Sequence, residues 1–264
     1  PPSAPRPVIN RYAMRNPARV PVVANVRLTP PEAASDIHHI VFDLSGADFP
    51  VLEGQSVGVL PPGTDALGAS HMHRLYSVAN ARDGEAGKPG HMAFTVKRVT
   101  EDPQGQPHHG VCSNYLCDLE PGETARLVGP YGNSFLMPDD PETRLLMICT
   151  GTGIAPMRGI IERRRLTGTA RARDLMLVYG GRTPGELPYH DTLVAMHGMQ
   201  LDLVLALSRM SGQPRRYVQD ALHARGADVA GFLSDPRGYV YLCGLRGMEE
   251  GVMQAFAALA AAAG

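Results

Sequence analysis

The feature that most constrains the fold is a continuous apolar run that leads directly into a glycine-rich loop. The run Arg144–Cys149 reads RLLMIC, the loop Thr150-Gly151-Thr152-Gly153 follows it, and Pro156 opens a helical segment. Such a run is typical of a parallel strand that is buried on both faces. Glycines after the strand let the backbone approach a pyrophosphate, and the helix N-terminus stabilises its charge. Because the full GxGxxG pattern is absent, a tight turn without a ligand is the alternative.

The two halves of the chain differ in their hydrophobic period. The first half carries short β-rich runs between Gly/Pro turns, which predicts a β-barrel or sandwich. The second half alternates apolar strands with helical segments, which predicts a doubly wound α/β domain around a parallel sheet. We expect domains at residues 1–137 and 138–264, joined by a proline-punctuated link. The predicted strands are 20–28, 37–44, 55–60, 73–79, 92–99, 125–129, 144–149, 174–179, 201–207 and 239–243. The predicted helices are 156–166, 189–197, 217–225 and 248–263.

Charge and cysteine usage exclude several functions. With 25 Lys and Arg against 26 Asp and Glu, no bulk electrostatic attraction to nucleic acid or anionic membrane is expected. The four cysteines form no CxxC pair, so their spacing predicts neither a zinc nor an iron–sulfur site. The apolar run Ala255–Ala263 is too short to span a bilayer, and no signal-peptide pattern is present. These observations favour a reducing, cytoplasmic location, and both ends of the chain look like cuts.

An arginine and a tyrosine share one face of a predicted strand in the first half. The segment His73–Ser77 reads HRLYS, and strand alternation places Arg74 and Tyr76 on the same side. Arginine is suited to hold a phosphate, and tyrosine is suited to stack on a flat ring. A cross-strand packing pair would produce the same pattern.

Basic residues follow the third predicted parallel strand. Leu207-Ser208-Arg209 ends that strand, and Arg215-Arg216-Tyr217-Val218-Gln219 opens the next helix. Ligands bind at the carboxyl ends of the strands in such sheets. Two arginine sites, a serine and a tyrosine suit a 2′-phosphate with an adenine ring stacked on Tyr217. A solvated basic loop is the alternative.

Six blocks of sequence, in the same order, resemble the plant-type ferredoxin–NADP⁺ reductase family. They are Leu52–Gly58 (LEGQSVG) with Pro61-Pro62-Gly63, Arg74–Ser77 (RLYS), Phe94–Val99 (FTVKRV), Gly110–Leu119 (GVCSNYLCDL), Thr150–Pro156 (TGTGIAP) and Tyr241–Met248 (YLCGLRGM). The resemblance implies an antiparallel β-barrel that binds FAD, followed by an α/β domain that binds NADPH. It also implies an enzyme that moves a hydride from NADPH to FAD and then single electrons to a ferredoxin-type iron–sulfur acceptor.

The same resemblance implies two sets of binding residues. The flavin set is Arg74, Leu75, Tyr76, Ser77, Thr95, Val96, Lys97, Gly110, Val111, Cys112 and Ser113. The nicotinamide-nucleotide set is Gly151, Thr152, Gly153, Ser208, Arg209, Arg215, Tyr217, Gln219, Gly244 and Met248.

Individual roles are implied for some of these residues. Arg74 pairs with the FAD pyrophosphate, Tyr76 stacks on the isoalloxazine, and Ser77 hydrogen-bonds its N5 edge. Ser77 and Cys243 are the implied catalytic residues, with the Cys243 thiol near the nicotinamide C4. Simple packing of a buried cysteine at a strand end is the alternative for Cys243.

The chain also departs from the family pattern. Family members continue beyond the last helix to an aromatic residue that covers the flavin, and none follows here before Gly264. The hairpin Thr100–Gly105 lacks the family's adenine-stacking tyrosine, so His108 or His109 is the candidate substitute. Arg158, Arg163, Arg164 and Arg165 share one predicted helix and read as a solvated face, or as a docking site for an acidic electron carrier. The pairs His38-His39 and His108-His109 read as surface or loop histidines.

Several blocks are most similar to the reductase component of the benzoyl-CoA 2,3-epoxidase system. These are Cys112–Cys117, Leu146–Cys149, Ala155–Arg158 and Glu162–Arg165. That subgroup implies a ferredoxin-like iron–sulfur domain upstream of Pro1, an oxygenase component as partner, and a role in aromatic catabolism. Two alternatives remain: a flavoreductase with another acceptor such as flavodoxin, and a nucleotide-binding module without catalysis.

Overall fold

The first half of the chain, in which apolar residues alternate with polar ones, forms six antiparallel strands. The computed structural model describes residues 1–244 and 246–263, so Leu245 of the last motif block and Gly264 lie outside the described residues. The strands are β1 (Ala18–Arg27), β2 (Ile37–Asp43), β3 (Ser56–Leu60), β4 (Arg74–Ser77), β5 (His91–Lys97) and β6 (Thr124–Tyr131). Their order in the sheet is β4-β3-β6-β1-β2-β5.

The sheet closes into a barrel where the continuation of β4 meets β5. Val78 forms an antiparallel bridge with Phe94, and the Ala79 amide donates to the Ala93 carbonyl at 2.8 Å. The interior is filled by buried side chains such as Phe42, Phe94 and Leu127. Helix α1 (Val111–Asp118) packs Leu116 into this core.

The second half forms a parallel sheet of four strands in the order β10-β7-β8-β9. The strands are β7 (Arg144–Thr150), β8 (Leu175–Gly181), β9 (Asp202–Leu207) and β10 (Gly238–Cys243). The helices are α2 (Ile154–Leu166), α3 (His190–Met196), α4 (Val218–Ala224), α5 (Gly226–Leu233) and α6 (Arg246–Ala263).

Both faces of this sheet are covered by helices. Met147 and Tyr179 pack with Ile160 of α2 on one face, and Ile148 packs with Leu222 of α4 on the other. Side chains from Leu145 to Cys149 are 0% exposed, as the continuous apolar run predicts. The architecture confirms the predicted fold class.

Helix α2 contacts residues 79–85 of the barrel half in what we call the seam. Small residues allow the close approach, because a Cβ on Gly159 would lie 2.9 Å from the Asn80 carbonyl oxygen. Ala155 packs beside Ala79 and Ala93 in a small buried cluster. The seam therefore fixes the position of the first helix after the glycine loop against the barrel.

The arginine run of α2 is not a solvated face, and the docking interpretation is wrong for most of it. Arg158 makes a bidentate ion pair with Glu85 at 2.7 and 2.9 Å, and Arg163 pairs with Asp83 at 2.7 Å. Arg164 is 2% exposed and donates to the carbonyls of Asp140, Pro141 and Thr143. Only Arg165, paired with Glu162 on the same helix, fits the sequence interpretation.

Other local predictions need correction. Helix α5 was not predicted, and the predicted strands 73–79 and 92–99 are longer than β4 and β5. His38 and His39 lie within β2 and are only 13% and 14% exposed, so they are not surface or loop residues. Among the described residues, no helix has the length and hydropathy that a membrane crossing requires.

Candidate functional site

A cavity of about 490 Å³ lies between β4, the hairpin after β5 and the start of α1. Seven residues of the flavin set line it: Arg74, Leu75, Tyr76, Gly110, Val111, Cys112 and Ser113. His108 and His109 also line it, where the sequence offered them as substitutes for a missing aromatic ring. His71 and Met72 complete one wall, and nothing in their loop's composition signalled that position. We call this space the barrel cavity.

The barrel cavity presents positive charge and free hydrogen-bond donors. The guanidinium of Arg74 contacts only the carbonyls of Met72 and His73, at 3.5 and 3.4 Å, and pairs with no carboxylate among the described residues. Helix α1 begins after Gly110 without a side-chain cap, so its first amides remain available. A Cβ on Gly110 would lie 2.7 Å from the Ser113 hydroxyl oxygen. An exposed arginine beside an uncapped helix start suits a phosphate group.

Tyr76 supplies a neutral aromatic surface at the same cavity. Its ring stacks on Phe94 with centroids 5.7 Å apart, which packs it against the barrel core. Burial raises the pKa of Tyr76 above its ordinary value, so the phenol stays protonated across the physiological range. Cys112 is buried next to it, as expected for a structural rather than a nucleophilic thiol.

A larger cavity of about 680 Å³ opens at the carboxyl ends of β7, β8 and β9. Seven predicted residues line it: Lys97, Gly151, Thr152, Ser208, Tyr217, Gln219 and Met248. Ser35 and Ile37 join Lys97 from the barrel half, so both halves of the chain contribute to this space. We call it the sheet-edge cavity, and its place is where open α/β sheets bind ligands.

The glycine loop has the close backbone packing that its sequence suggested. Gly151 has φ +54°, and a Cβ on Gly153 would lie 2.2 Å from the Cys243 carbonyl oxygen. The buried Tyr179 hydroxyl donates to the Gly151 carbonyl at 3.0 Å and holds the loop at the end of β7. No side chain caps the start of α2 behind this loop. The Ile154 amide donates to the carbonyls of Gly151 and Thr152, so a 3₁₀ turn over Gly151–Gly153 runs directly into α2.

The basic residues after β9 are only partly in the cavity. Ser208 and Tyr217 line it, whereas Arg209 and Arg215 are exposed and lie outside its wall. Within the described part of the chain, neither arginine pairs with a carboxylate. Arg182 also lines the cavity and was missed, although its place just beyond β8 follows from the strand-end rule.

Neither predicted catalytic residue lines a cavity: Ser77 ends β4, and Cys243 ends β10, where its carbonyl oxygen lies close to Gly153 of the loop. Continuing the Val78–Phe94 bridge places Ser77 opposite Thr95, between Tyr76 of one cavity and Lys97 of the other.

Val96 requires a correction, because its side chain is 0% exposed inside the barrel core. Only its backbone can face a ligand. Burial raises the pKa of Cys243, so this residue is a neutral thiol at the end of β10. In residues 1–244 and 246–263, no three His, Cys, Asp or Glu side chains are grouped to hold a metal ion.

The fold and its two cavities define a class: an antiparallel barrel joined to a dinucleotide-type α/β unit. Residues 147–254 match the oxidoreductase NAD-binding domain family. The chain is 35% identical to the ferredoxin–NADP reductase of Thermosynechococcus vestitus, over 96% of this chain and 68% of the relative. It is 34% identical to the chloroplastic leaf isozyme 1 of Arabidopsis thaliana, over 96% of this chain and 73% of the relative. The chain therefore belongs to the ferredoxin–NADP reductase family.

A solved structure supports the fold independently of close sequence similarity. The ferredoxin–NADP⁺ reductase of Plasmodium falciparum superposes with a TM-score of 0.78 at 21% identity. The match covers 94% of this chain and 92% of the other.

Proposed function

We propose that this protein is an FAD-containing reductase that passes electrons between NADPH and a ferredoxin-type iron–sulfur acceptor. The observation that carries the proposal is the presence of two anion-suited cavities, one beside β4 and the start of α1 and one at the carboxyl ends of β7, β8 and β9. Family membership supports an oxidoreductase with these two cofactors and disfavours a non-catalytic binding module. Bound FAD supplies the capacity to take two electrons as a hydride and release them singly.

The barrel cavity holds the flavin nucleotide in this proposal. Arg74 and the first amides of α1 bind its pyrophosphate, because both present donors without a competing acidic partner. The neutral ring of Tyr76 supports the isoalloxazine, and the hydroxyl of Ser77 donates near its N5 edge. His108 or His109 stacks on the adenine at the far end of the cavity.

The sheet-edge cavity holds the nicotinamide nucleotide. Its pyrophosphate lies against the Gly151–Gly153 loop, and its 2′-phosphate contacts Ser208 and Arg209 with Arg215 nearby. Tyr217, 46% exposed, offers its ring to the adenine. Thr152 and the neutral Cys243 thiol lie at the nicotinamide end, where a protonated thiol packs against the ring without attacking it.

Cofactor extraction and acceptor assays test this function together. The purified protein should release FAD rather than FMN, and NADPH should drive reduction of a plant-type ferredoxin faster than reduction of a flavodoxin. Arg74→Gln should bind FAD more weakly, whereas Arg19→Gln, a neutralised exposed arginine in the same sheet, should bind it as the wild type does. A colourless wild-type protein that binds no FAD would defeat the proposal. Equal or faster reduction of flavodoxin would favour the alternative acceptor.

The resemblance to one subgroup supports a narrower proposal about the terminal acceptor. In it, electrons leave through a ferredoxin-like domain, encoded upstream of Pro1, and supply an oxygenase that epoxidises benzoyl-CoA. Reconstitution of the full-length reductase with a benzoyl-CoA epoxidase component should give NADPH-dependent epoxide formation. Equal rates with an unrelated oxygenase would contradict this assignment while leaving the reductase function intact.

We propose the flavin-binding domain at residues 1–137 and the NADP-binding domain at residues 138–264. Limited proteolysis near the Met137–Pro141 link should yield two fragments, and cleavage elsewhere first would contradict the boundary. A cytoplasmic location is part of the same proposal. All four cysteines are free in the structure, which agrees with a reducing compartment.

A further inference from the structure

Tyr189 occupies an unusual backbone conformation at the start of α3. Its φ is 62° and its ψ 16°, in the left-handed region that non-glycine residues rarely adopt. Such a conformation persists where surrounding contacts hold it. In this protein, the contacts of the Tyr189 side chain hold the backbone in that conformation.

The Tyr189 hydroxyl reaches out of its own half of the chain into the barrel. It lies 2.7 Å from the Thr95 hydroxyl and 2.9 Å from Nδ1 of His39. His39 and Thr95 are direct partners in the pairing of β2 with β5, so one hydroxyl ties both strands. Burial raises the pKa of Tyr189 to about 12, and the neutral phenol can donate to one partner and accept from the other.

Arg158 of the seam covers the Tyr189 ring. Its guanidinium carbon lies 4.8 Å from the ring centroid while its nitrogens pair with Glu85. The Nε2 of His39 lies 3.5 Å from the same Glu85 carboxylate. Tyr189 therefore lies in a network in which Arg158 and His39 both contact Glu85 and His39 also contacts the phenol.

On the other side, Tyr189 is linked to the glycine loop. The Tyr179 hydroxyl donates to the Gly151 carbonyl at 3.0 Å and lies 3.5 Å from the carbonyl of Pro188, the residue before Tyr189. The contacts thus run from Gly151 through Tyr179 to the Pro188 carbonyl, and from the adjoining Tyr189 to Thr95. This path joins the loop of the sheet-edge cavity to β5, the strand that carries Thr95, Val96 and Lys97 of the predicted flavin set.

We infer that Tyr189 is a positioning residue, which fixes the glycine loop relative to β5 and so sets the spacing between the two bound cofactors. The inference rests on the proposed function, because the spacing matters where a hydride crosses from one cavity to the other. Hydride transfer is steep in distance, and misplacement by about 1 Å costs up to about 100-fold in rate. Removing only the Tyr189 hydroxyl should therefore slow hydride transfer without preventing either cofactor from binding.

Tyr189→Phe tests the inference, because it deletes the hydroxyl and keeps the ring. In the holoenzyme, flavin reduction by NADPH in single-turnover stopped flow should slow roughly tenfold. FAD content and the Kd for NADP⁺ should stay within about twofold. Tyr12→Phe is the matched control, since that ring stacks on Phe49 and lines neither cavity.

A flavin-reduction rate within twofold of wild type in Tyr189→Phe would overturn the inference. Loss of FAD, or an equal slowing in Tyr12→Phe, would also overturn it, because the hydroxyl would then act on general stability. Hydrogen exchange supplies a readout that needs no cofactor. The variant should exchange faster at both 91–97 and 151–153, and unchanged protection at both would refute the link even if the protein proved not to be a reductase.

Discussion

Two groups of arginines behave in opposite ways in this molecule. The seam arginines, Arg158 and Arg163, pair with Glu85 and Asp83 of the barrel half. The rim arginines, Arg74, Arg209 and Arg215, are exposed and pair with no carboxylate in the described ranges. The first group joins the two halves of the chain, whereas the second leaves its charge available beside the cavities.

The difference shows why local sequence is a poor guide to an arginine's role. A buried guanidinium needs partners for its donors, and the acidic partners of Arg158 and Arg163 compete with an anionic ligand. An exposed guanidinium without a partner remains free to bind phosphate. The comparison predicts that substitutions in the seam reduce stability, while substitutions at the rim reduce ligand affinity.

The largest effect is expected for Arg158→Ala. The change leaves the Glu85 carboxylate, 9% exposed, without its bidentate partner and removes the cover of the Tyr189 ring. Removing one partner of a buried pair costs about 3–5 kcal/mol in the free energy of unfolding, measured by urea denaturation. Arg165→Ala, which breaks an exposed pair on the same helix, should cost less than about 1 kcal/mol. Similar losses of unfolding free energy in the two variants would contradict the view that the seam ion pair contributes more to stability than an exposed pair.

Acid should weaken the seam next. Burial opposes ionisation of Glu85, but hydrogen bonds from His39 and Arg158 lower its pKa to about 2 in the folded protein. The ionised carboxylate therefore stabilises the fold above the unfolded pKa of about 4.5, and this contribution is lost as the pH falls toward 2. The loss should reach up to about 3 kcal/mol. Glu85→Gln should show a flatter fall in unfolding free energy over this interval, and an unchanged slope would contradict the assignment.

Arg74→Gln should act on a ligand and not on the fold. Loss of a charge-assisted hydrogen bond to a phosphate costs about 2 kcal/mol, which raises the Kd for FAD roughly 30-fold. The urea midpoint of the apoprotein should remain unchanged. Titration of apoprotein with FAD, followed by flavin fluorescence, measures the effect. An unaltered Kd for FAD would contradict the proposal that Arg74 binds the flavin pyrophosphate.

The smallest effect is expected at the edge of the larger cavity. Arg209→Gln should lower the NADPH/NADH ratio of kcat/KM by about tenfold, because a single exposed contact to the 2′-phosphate is lost. Arg163→Gln, from the seam group, should leave this ratio unchanged. Steady-state assays with both nucleotides compare the variants directly. An equal change of the NADPH/NADH ratio in both variants would contradict the prediction that rim arginines, and not seam arginines, determine the choice of nucleotide.

Periodicity predicts most of the fold, because burial patterns are local. The fully buried run from Leu145 to Cys149 forms the central parallel strand, and the change of period after Pro138 marks where antiparallel pairing ends. Helix α5 was not predicted, because Gly226, Gly231 and its short length weaken the helical pattern of the sequence. Local sequence also predicts part of the site. Strand alternation sets the direction of Arg74 and Tyr76, and the end of a parallel strand sets the position of the glycine loop, so all of them line cavities.

Long-range partners could not be predicted from one sequence. Arg158 and Glu85 are 73 residues apart, and Arg163 and Asp83 are 80 apart, so nothing near the arginine run signals its ion pairs. The tie from Tyr189 to Thr95 spans 94 residues and depends on a left-handed backbone at a tyrosine. Val96 was assigned to a ligand site, but its side chain points into the barrel core because strand alternation fixes it there.

Anaerobic titration of the purified holoenzyme with NADPH tests the central claim most directly. The account predicts that about one equivalent of NADPH bleaches the flavin absorbance, because each hydride delivers two electrons to one FAD. NADH should bleach it far more slowly under the same conditions. A protein that carries FAD but is not bleached by either nucleotide would contradict the account, since the two cavities would then not communicate.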